Sequence, residues 1–182
     1  LDHLLENLSV GVHGPITSDQ HESFRMWRQE TERLARLVGD LLDIARIESG
    51  KIALKLEPLD ILSVAAYALD LLSPQIKEKS IQARVDIPQG LSPALADQSQ
   101  VSRVFINLIG NAIKFVPAEG GSINISAFES GQVIQINVAD NGIGISPEDQ
   151  AKLFQRFFRV ESEETRNIQG TGLGLFIVRQ LV

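Results

Sequence analysis

Asn107, Asn111 and Lys114 recur at i, i+4 and i+7 in the segment NLIGNAIKF (107–115), so on a helix they share one face. Two amides and an ammonium in one stripe can hold a metal-bound polyphosphate, with an amide oxygen on Mg2+ and the lysine on phosphate oxygens. Taken alone, the stripe reads equally well as a solvated helix face. A second segment, DNGIGI (140–145), follows an alternating strand pattern. Asn141-Gly142 by itself is a hairpin signal. The residues after it are Ser146-Pro147-Glu148-Asp149, which open a helix with Ser as cap and Pro at its first position. The glycines therefore lie in a strand-to-helix loop, where missing side chains let a ligand approach the backbone. Asp140 can accept a hydrogen bond there from an exocyclic amine such as that of adenine.

Two further segments complete the set. LFQRFFR (153–159) packs three phenylalanines and two arginines into seven residues. Its plain reading is core aromatics with surface arginines; its functional one sets an aromatic beside a base and an arginine near phosphates. GTGLGL (170–175) opens the last helix, where free N–H groups and the positive end of the dipole converge on an anion. Its G-x-G-x-G spacing, with no strand before it, is not a dinucleotide fingerprint, and no G-x-x-x-x-G-K-[ST] occurs. Glu161–Gln169, polar and without periodicity, reads as a mobile lid.

The elements that must carry these segments follow from periodicity. Residues 1–9 read as the end of a helix, broken by Gly11, Gly14 and Pro15. Thr17, with Gln20 in the reciprocal position, caps a helix that runs to about Ser49, with Gly50 as its C-terminal cap. Phe24, Trp27, Thr31, Leu34, Val38, Leu41, Ala45 and Glu48 form a heptad seam along it. A lone hairpin cannot bury such a stripe, and a two-chain four-helix bundle can. Beyond Gly50 the pattern predicts a strand over 51–56 and a helix from Asp60 to about Leu72, where Pro74 interferes. It continues with strands over 81–87 and 93–96, a helix capped by Asp97, and a hairpin of 122–128 with 132–139 around Ser130-Gly131. Paired strands with helices between them predict an α+β chain: an N-terminal helical hairpin over residues 1–50, then an α/β sandwich over 51–182 with helices on one face of a mixed sheet.

Composition narrows the function. A net charge of -6 leaves no basic excess to neutralise nucleic-acid phosphates or an anionic membrane. The absence of cysteine excludes disulfides and thiolate zinc sites. No apolar run reaches membrane-span length, so the chain is expected to be cytoplasmic, with any anchor elsewhere in a parent protein.

In their order and spacing, NLIGNAIKF, DNGIGI, LFQRFFR and GTGLGL resemble the N, first glycine, F and second glycine boxes of sensor histidine kinases, within the wider GHKL (Bergerat-fold) ATPases. LARLVGDLLDIARIESGKI resembles the second helix of that family's dimerisation and phosphotransfer domain. The resemblance covers residues 19–182 and implies a role for each matching position. Asp140 would read the adenine amine, with Gly142 and Gly144 admitting base and ribose. Asn111 would ligate Mg2+, with Asn107 nearby and Lys114 on phosphate. Phe158 would line the pocket near the base and Arg159 would reach the terminal phosphates. Gly170, Thr171, Gly172, Leu173 and Gly174 would cradle the phosphates and close the lid.

The resemblance further implies γ-phosphoryl transfer from Mg-ATP to a histidine on a homodimeric bundle, then to a response-regulator receiver domain. The family's His-(Glu/Asp)-Leu-Arg-x-Pro-like acceptor box is not found, and His3, His13 and His21 lack its context. The acceptor is therefore expected upstream of Leu1, and further strands after Val182. Two other readings compete. A hydrolysing GHKL ATPase needs a glutamate base where Asn107 stands. A dimeric ATP-binding scaffold would bind nucleotide without phosphorylating itself.

Overall fold

The computed structural model describes residues 17–49, 53–166 and 168–182. The chain divides into two compact units, Leu1–Lys51 and Ile52–Val182. In the first, helix α1 spans Ser18–Glu48. Its start is the expected capping box: the Gln20 N–H donates to Thr17 Oγ1 at 3.2 Å, and the Thr17 N–H donates to Gln20 Oε1 at 2.8 Å. The helix closes on Ser49, whose N–H donates to Ala45 O. The expected cap Gly50, the expected helix end over 1–9 and its breakers lie outside the described residues. Local pairs such as Arg28–Glu32 (3.3 Å) and Arg33–Glu30 (3.3 Å) lace the polar side, and exposed pairs of this kind add little. The heptad seam itself stands in water: Trp27 is 59% and Leu34 62% exposed, with Val38 and Leu41 about as open.

The second unit begins with β1 (Glu57–Leu59), α2 (Ile61–Glu78), β2 (Gln82–Asp86), β3 (Ala94–Ala96) and α3 (Gln98–Phe115). It continues with β4 (Ser122–Ser130), β5 (Val133–Asp140), a one-turn α4 (Pro147–Gln150) and α5 (Gly174–Leu181). Side-chain caps start the helices where the sequence places them. Asp60 accepts from Leu62 N, Asp97 from Ser99 N and Gln100 N, and Ser146 from Asp149 N. A mixed three-stranded sheet has the order β2-β4-β5, parallel for the first pair and antiparallel for the second. Gly131, at φ 65°, supplies the positive φ that the β4–β5 turn needs. Ile123, Ile125 and Ala127 alternate inward along β4 and pack with Phe105, Ile109, Ala112 and Ile113 of α3 and Val64, Ala65 and Ala68 of α2. A smaller antiparallel pair, β1-β3, closes over Leu59. This is the expected α+β sandwich.

Two expectations are corrected. The strand predicted over 51–56 begins instead at Glu57, because its partner is the short Ala94–Ala96. Ahead of it, the Lys55 N–H donates to the Asp97 carboxylate at 2.9 Å rather than to a ladder. The helix predicted to stop near Leu72 runs through Pro74 to Glu78. Proline removes one hydrogen bond from a helix interior, at about 3 kcal/mol. Leu72 is buried and Ile76 packs on the core on either side of it, and that burial offsets the lost bond.

Candidate nucleotide-binding site

Helix α3 is the element on which the chemistry-bearing segments converge. Its buried stripe (Phe105, Ile109, Ala112, Ile113) fixes its rotation, leaving Asn107, Asn111 and Lys114 partly open on another face. At its C-terminal end the Phe115 carbonyl accepts the Ile143 N–H at 3.3 Å, docking the DNGIGI loop. A Cβ on Gly142 would lie 2.7 Å from both Phe115 O and Asp140 Oδ1, so only glycine fits. The Gly142 N–H donates to Asp140 Oδ1 at 2.8 Å, which fixes the carboxylate at the mouth of the loop. Asn141 pins the other side: its Oδ1 accepts from Ser122 N at 2.8 Å and its Nδ2 donates to Gly120 O at 2.9 Å. Gly144 faces open space, and its φ of 72° is what requires glycine there.

Two turns earlier on α3, Asn107 meets the other glycine segment. A Cβ on Gly174 would lie 2.8 Å from Asn107 Oδ1, while Asn107 Nδ2 donates to Arg103 O at 3.0 Å. Asn107 and Phe115 are eight residues apart, roughly 12 Å along the helix axis at 1.5 Å per residue. Asn111 lies midway between the two docking points. The third segment joins the fourth through backbone. The Phe157 N–H donates to Gly172 O at 3.0 Å, and a Cβ on Gly172 would lie 2.7 Å from the Phe157 carbonyl carbon. Phe157 itself adopts φ 61°, a left-handed conformation that an aromatic residue rarely takes. Two reciprocal cation–π contacts reinforce the joint: Arg156 over Phe176 at 4.7 Å and Arg179 over Phe154 at 5.8 Å.

The structure thus brings Asp140 and Gly142 to one end of α3 and Gly174 to its middle, with Gly172 tied to the residue beside Phe158. Phe158 and Arg159, with Phe157, Asp149 and Glu161, line an open depression of about 520 Å3. Arg159 reaches toward the segment ahead of the glycines, where Nη2 donates to Ile168 O at 2.6 Å. Leu173 is fully buried, so only its main chain can face a ligand, and its N–H donates to Thr171 Oγ1 at 3.3 Å. A Cβ on Gly170 would meet nothing within 4 Å. The segment expected as a structureless lid carries a built turn. Thr165 is buried, its hydroxyl donates to Val160 O at 2.6 Å, and it accepts the Ser162 N–H at 2.9 Å. Asn141, Phe157, Arg156, Phe176 and Arg179 receive no individual role from motif spacing alone. Asn141 carried a readable signal, since Asn before Gly is a residue that bonds nearby backbone; the others act only through tertiary contact.

Among the described residues no group of three or more His, Asp or Glu side chains is placed to hold a metal ion. A magnesium ion here would rest on an amide and on phosphate oxygens, which suits an ion that keeps several waters and few protein ligands.

A family model for histidine kinase-, DNA gyrase B- and HSP90-like ATPases matches residues 96–182. Drug sensory protein A of Synechocystis is 35% identical over 187 residues, covering 98% of this chain and 28% of that protein. The circadian input-output histidine kinase CikA of Synechococcus elongatus is 33% identical over 171 residues, covering 93% of this chain and 22% of that protein. The chain therefore spans less than a third of these relatives. Among solved structures, full-length ShkA in complex with AMPPNP matches at a TM-score of 0.75 and 28% identity, over 98% of this chain and 40% of that one. The Acinetobacter baumannii histidine kinase AdeS matches at 0.72 and 25% identity, over 97% and 78%. With its motifs docked around one helix and its residues 96–182 matching the ATPase family model, the chain belongs to the sensor histidine kinases.

Proposed function

We propose that this chain binds Mg-ATP as the catalytic core of a sensor histidine kinase and passes the γ-phosphoryl group to a histidine of a dimeric helix bundle, and onward to a response-regulator aspartate. The observation that carries the reading is the convergence of two glycine segments on α3, Gly142 against Phe115 and Gly174 against Asn107, with Gly172 of the second locked to Phe157 of the aromatic segment. At Gly142 and Gly172 the opposing atoms are backbone, so those contacts are closed to any residue larger than glycine. A similar structure, ShkA, is described in complex with AMPPNP, an ATP analogue.

In this reading Asp140 accepts the adenine amine, Gly142 and Gly144 leave room for base and ribose, and Phe158 packs near the base. Asn111 holds Mg2+ and Lys114 a phosphate oxygen, while Arg159 and the backbone of Gly170, Thr171, Gly172, Leu173 and Gly174 surround the terminal phosphates. Mg2+ supplies charge neutralisation on the phosphate oxygens. The residues of the chain supply position, which is the larger part of catalysis in phosphoryl transfer. Residues 1–50 serve as the dimerisation and phosphotransfer hairpin and residues 51–182 as the catalytic domain. The exposed seam of Trp27, Leu34, Val38 and Leu41 supports pairing with a second copy. His21 lies on the exposed first turn of α1 without an acceptor motif, so the acceptor is assigned upstream of Leu1. No described helix is long and apolar enough to cross a membrane; a cytoplasmic location is part of the proposal.

A hydrolysing ATPase is disfavoured by one observation: Asn107 stands where such enzymes need a base, and its amide already donates to Arg103 O. Incubation with labelled ATP tests the reading, using this chain beside a form extended upstream by its native sequence. An acid-labile, base-stable phosphate on the extended form alone is expected. Steady hydrolysis without phosphoprotein would overturn it in favour of an ATPase, and nucleotide binding without either in favour of a scaffold. Asp140→Asn should weaken adenine nucleotide binding while leaving the domain folded; unchanged affinity in a titration would remove Asp140 from the site.

A further inference from the structure

A helix leaves its last carbonyls without partners in the helix, and at the end of α3 those of Ile113, Lys114 and Phe115 accept from donors outside it. Ala112 O accepts from Val116 N at 3.0 Å, and Phe115 O accepts from Ile143 N at 3.3 Å in the nucleotide loop. Ile113 O would ordinarily accept from residue 117, but that residue is proline and has no N–H. The missing donor comes from another helix. Lys79, the C-cap of α2, reaches across so that Nζ donates to Ile113 O at 2.7 Å and, at a longer 3.4 Å, to Lys114 O. Its charge sits at the negative end of the α3 dipole, where a cation is favoured, in a partly buried setting that screens it less than open water would.

The direction of Lys79 is itself fixed. α2 ends in a Schellman turn, with Ser80 N donating to Lys77 O and Ile81 N to Ile76 O. Ser80 holds φ 52°, the left-handed position usually given to glycine. Ile81 is buried in the core immediately after it. The backbone on both sides of Lys79 is thereby held, and its side chain is aimed at the turn that carries Asn111, Lys114 and Phe115.

We propose that Lys79 is a positioning residue of the nucleotide site: it caps α3 so that Lys114 and the loop from Asp140 to Gly144 are held ready for adenine nucleotide. It lies outside residues 96–182 and in none of the four motifs. The inference rests on the nucleotide-binding reading above. A purely structural role would show itself differently, as lost stability with unchanged affinity.

The test compares the unaltered chain with Lys79→Met, Lys79→Arg and Leu72→Ala. Leu72→Ala is a control that destabilises α2 away from the α3 end. Mg-ADP affinity is measured by calorimetric titration, stability by urea unfolding, and loop order by the exchange rate of the Ile143 amide. Lys79→Met should weaken Mg-ADP binding roughly tenfold, the scale of one charge-assisted hydrogen bond, and speed Ile143 exchange. Lys79→Arg should restore most of both, and Leu72→Ala should lower the urea midpoint with affinity unchanged. Lys79→Met binding as tightly as the unaltered chain, or losing no more affinity than Leu72→Ala at equal stability, would overturn the positioning role while leaving the nucleotide reading intact. Failure of the unaltered chain to bind Mg-ADP would overturn both.

Discussion

Helices α1 and α3 are both amphipathic, yet they dispose of their apolar faces in opposite ways. α3 buries Phe105, Ile109, Ala112 and Ile113 almost completely within its own unit, against α2 and the sheet. α1 leaves Trp27, Leu34, Val38 and Leu41 between 48% and 62% exposed along a heptad seam. The difference is one of pattern width. A broad stripe fits the irregular socket of a mixed core, while a narrow seam at every third and fourth residue matches another helix. The polar side of each helix differs accordingly. On α1 it carries exposed ion pairs that are local and weak. On α3 it carries amides and a lysine between two glycine contacts, where the burial of the opposite face sets their position. The buried face of α3 therefore fixes the position of the proposed site, and the exposed seam of α1 is the face proposed to pair with a second copy.

The sharpest way to break that contrast is to charge the seam. Each Leu fully buried in a bundle contributes roughly 1.5–3 kcal/mol. Leu34→Asp with Leu41→Asp should therefore abolish self-association in sedimentation experiments while leaving Mg-ADP affinity unchanged. An unaltered sedimentation coefficient would show that the seam is not the interface. Next in size is Ile109→Ala, which empties a fully buried position on α3. It should cost about 2–5 kcal/mol in urea unfolding and lower nucleotide affinity with it, without changing self-association. Loss of dimer in this variant would mean that the two helices do not have separate tasks.

The smallest expected effect is acid sensitivity, and it distinguishes the two helix starts. Asp97, the cap of α3, has a carboxyl pulled down to about 2, chiefly by the Ser99 hydroxyl and then by the Lys55 and Gln100 amides. Because the folded value lies below the ordinary 3.8, the fold gains from the ionised form above about pH 4, and the gain is lost as pH falls toward 2. Asp60 and Glu129 of the same unit are lowered too, in the same direction. The cap of α1 is Thr17, which does not titrate. Acidification from pH 4 to 2 should therefore lower the urea midpoint of the Ile52–Val182 unit, and Asp97→Asn should flatten part of that slope. An identical slope in the variant would show that the Asp97 cap does not contribute.

What could be read directly from the sequence was local. The capping box of Thr17 and Gln20, the caps Asp60, Asp97 and Ser146, the Gly131 turn and the inward alternation of Ile123 and Ile125 all arise within a few residues of chain. Their physics is hydrogen bonding to neighbouring amides and the pleat of a strand, and both are written in spacing. The four motifs were legible for the same reason, as glycines and amides at fixed intervals. Tertiary structure alone decided the rest. Pro74 stays inside a helix because the core holds Leu72 and Ile76 on either side of it. The first strand waits until Glu57 because its partner is Ala94–Ala96. Phe157 is held left-handed against Gly172, and Lys79 stands in for the donor that Pro117 lacks. Each of these depends on segments distant in sequence meeting in space. A residue's own neighbours fix what it prefers, and the packed core decides whether that preference prevails.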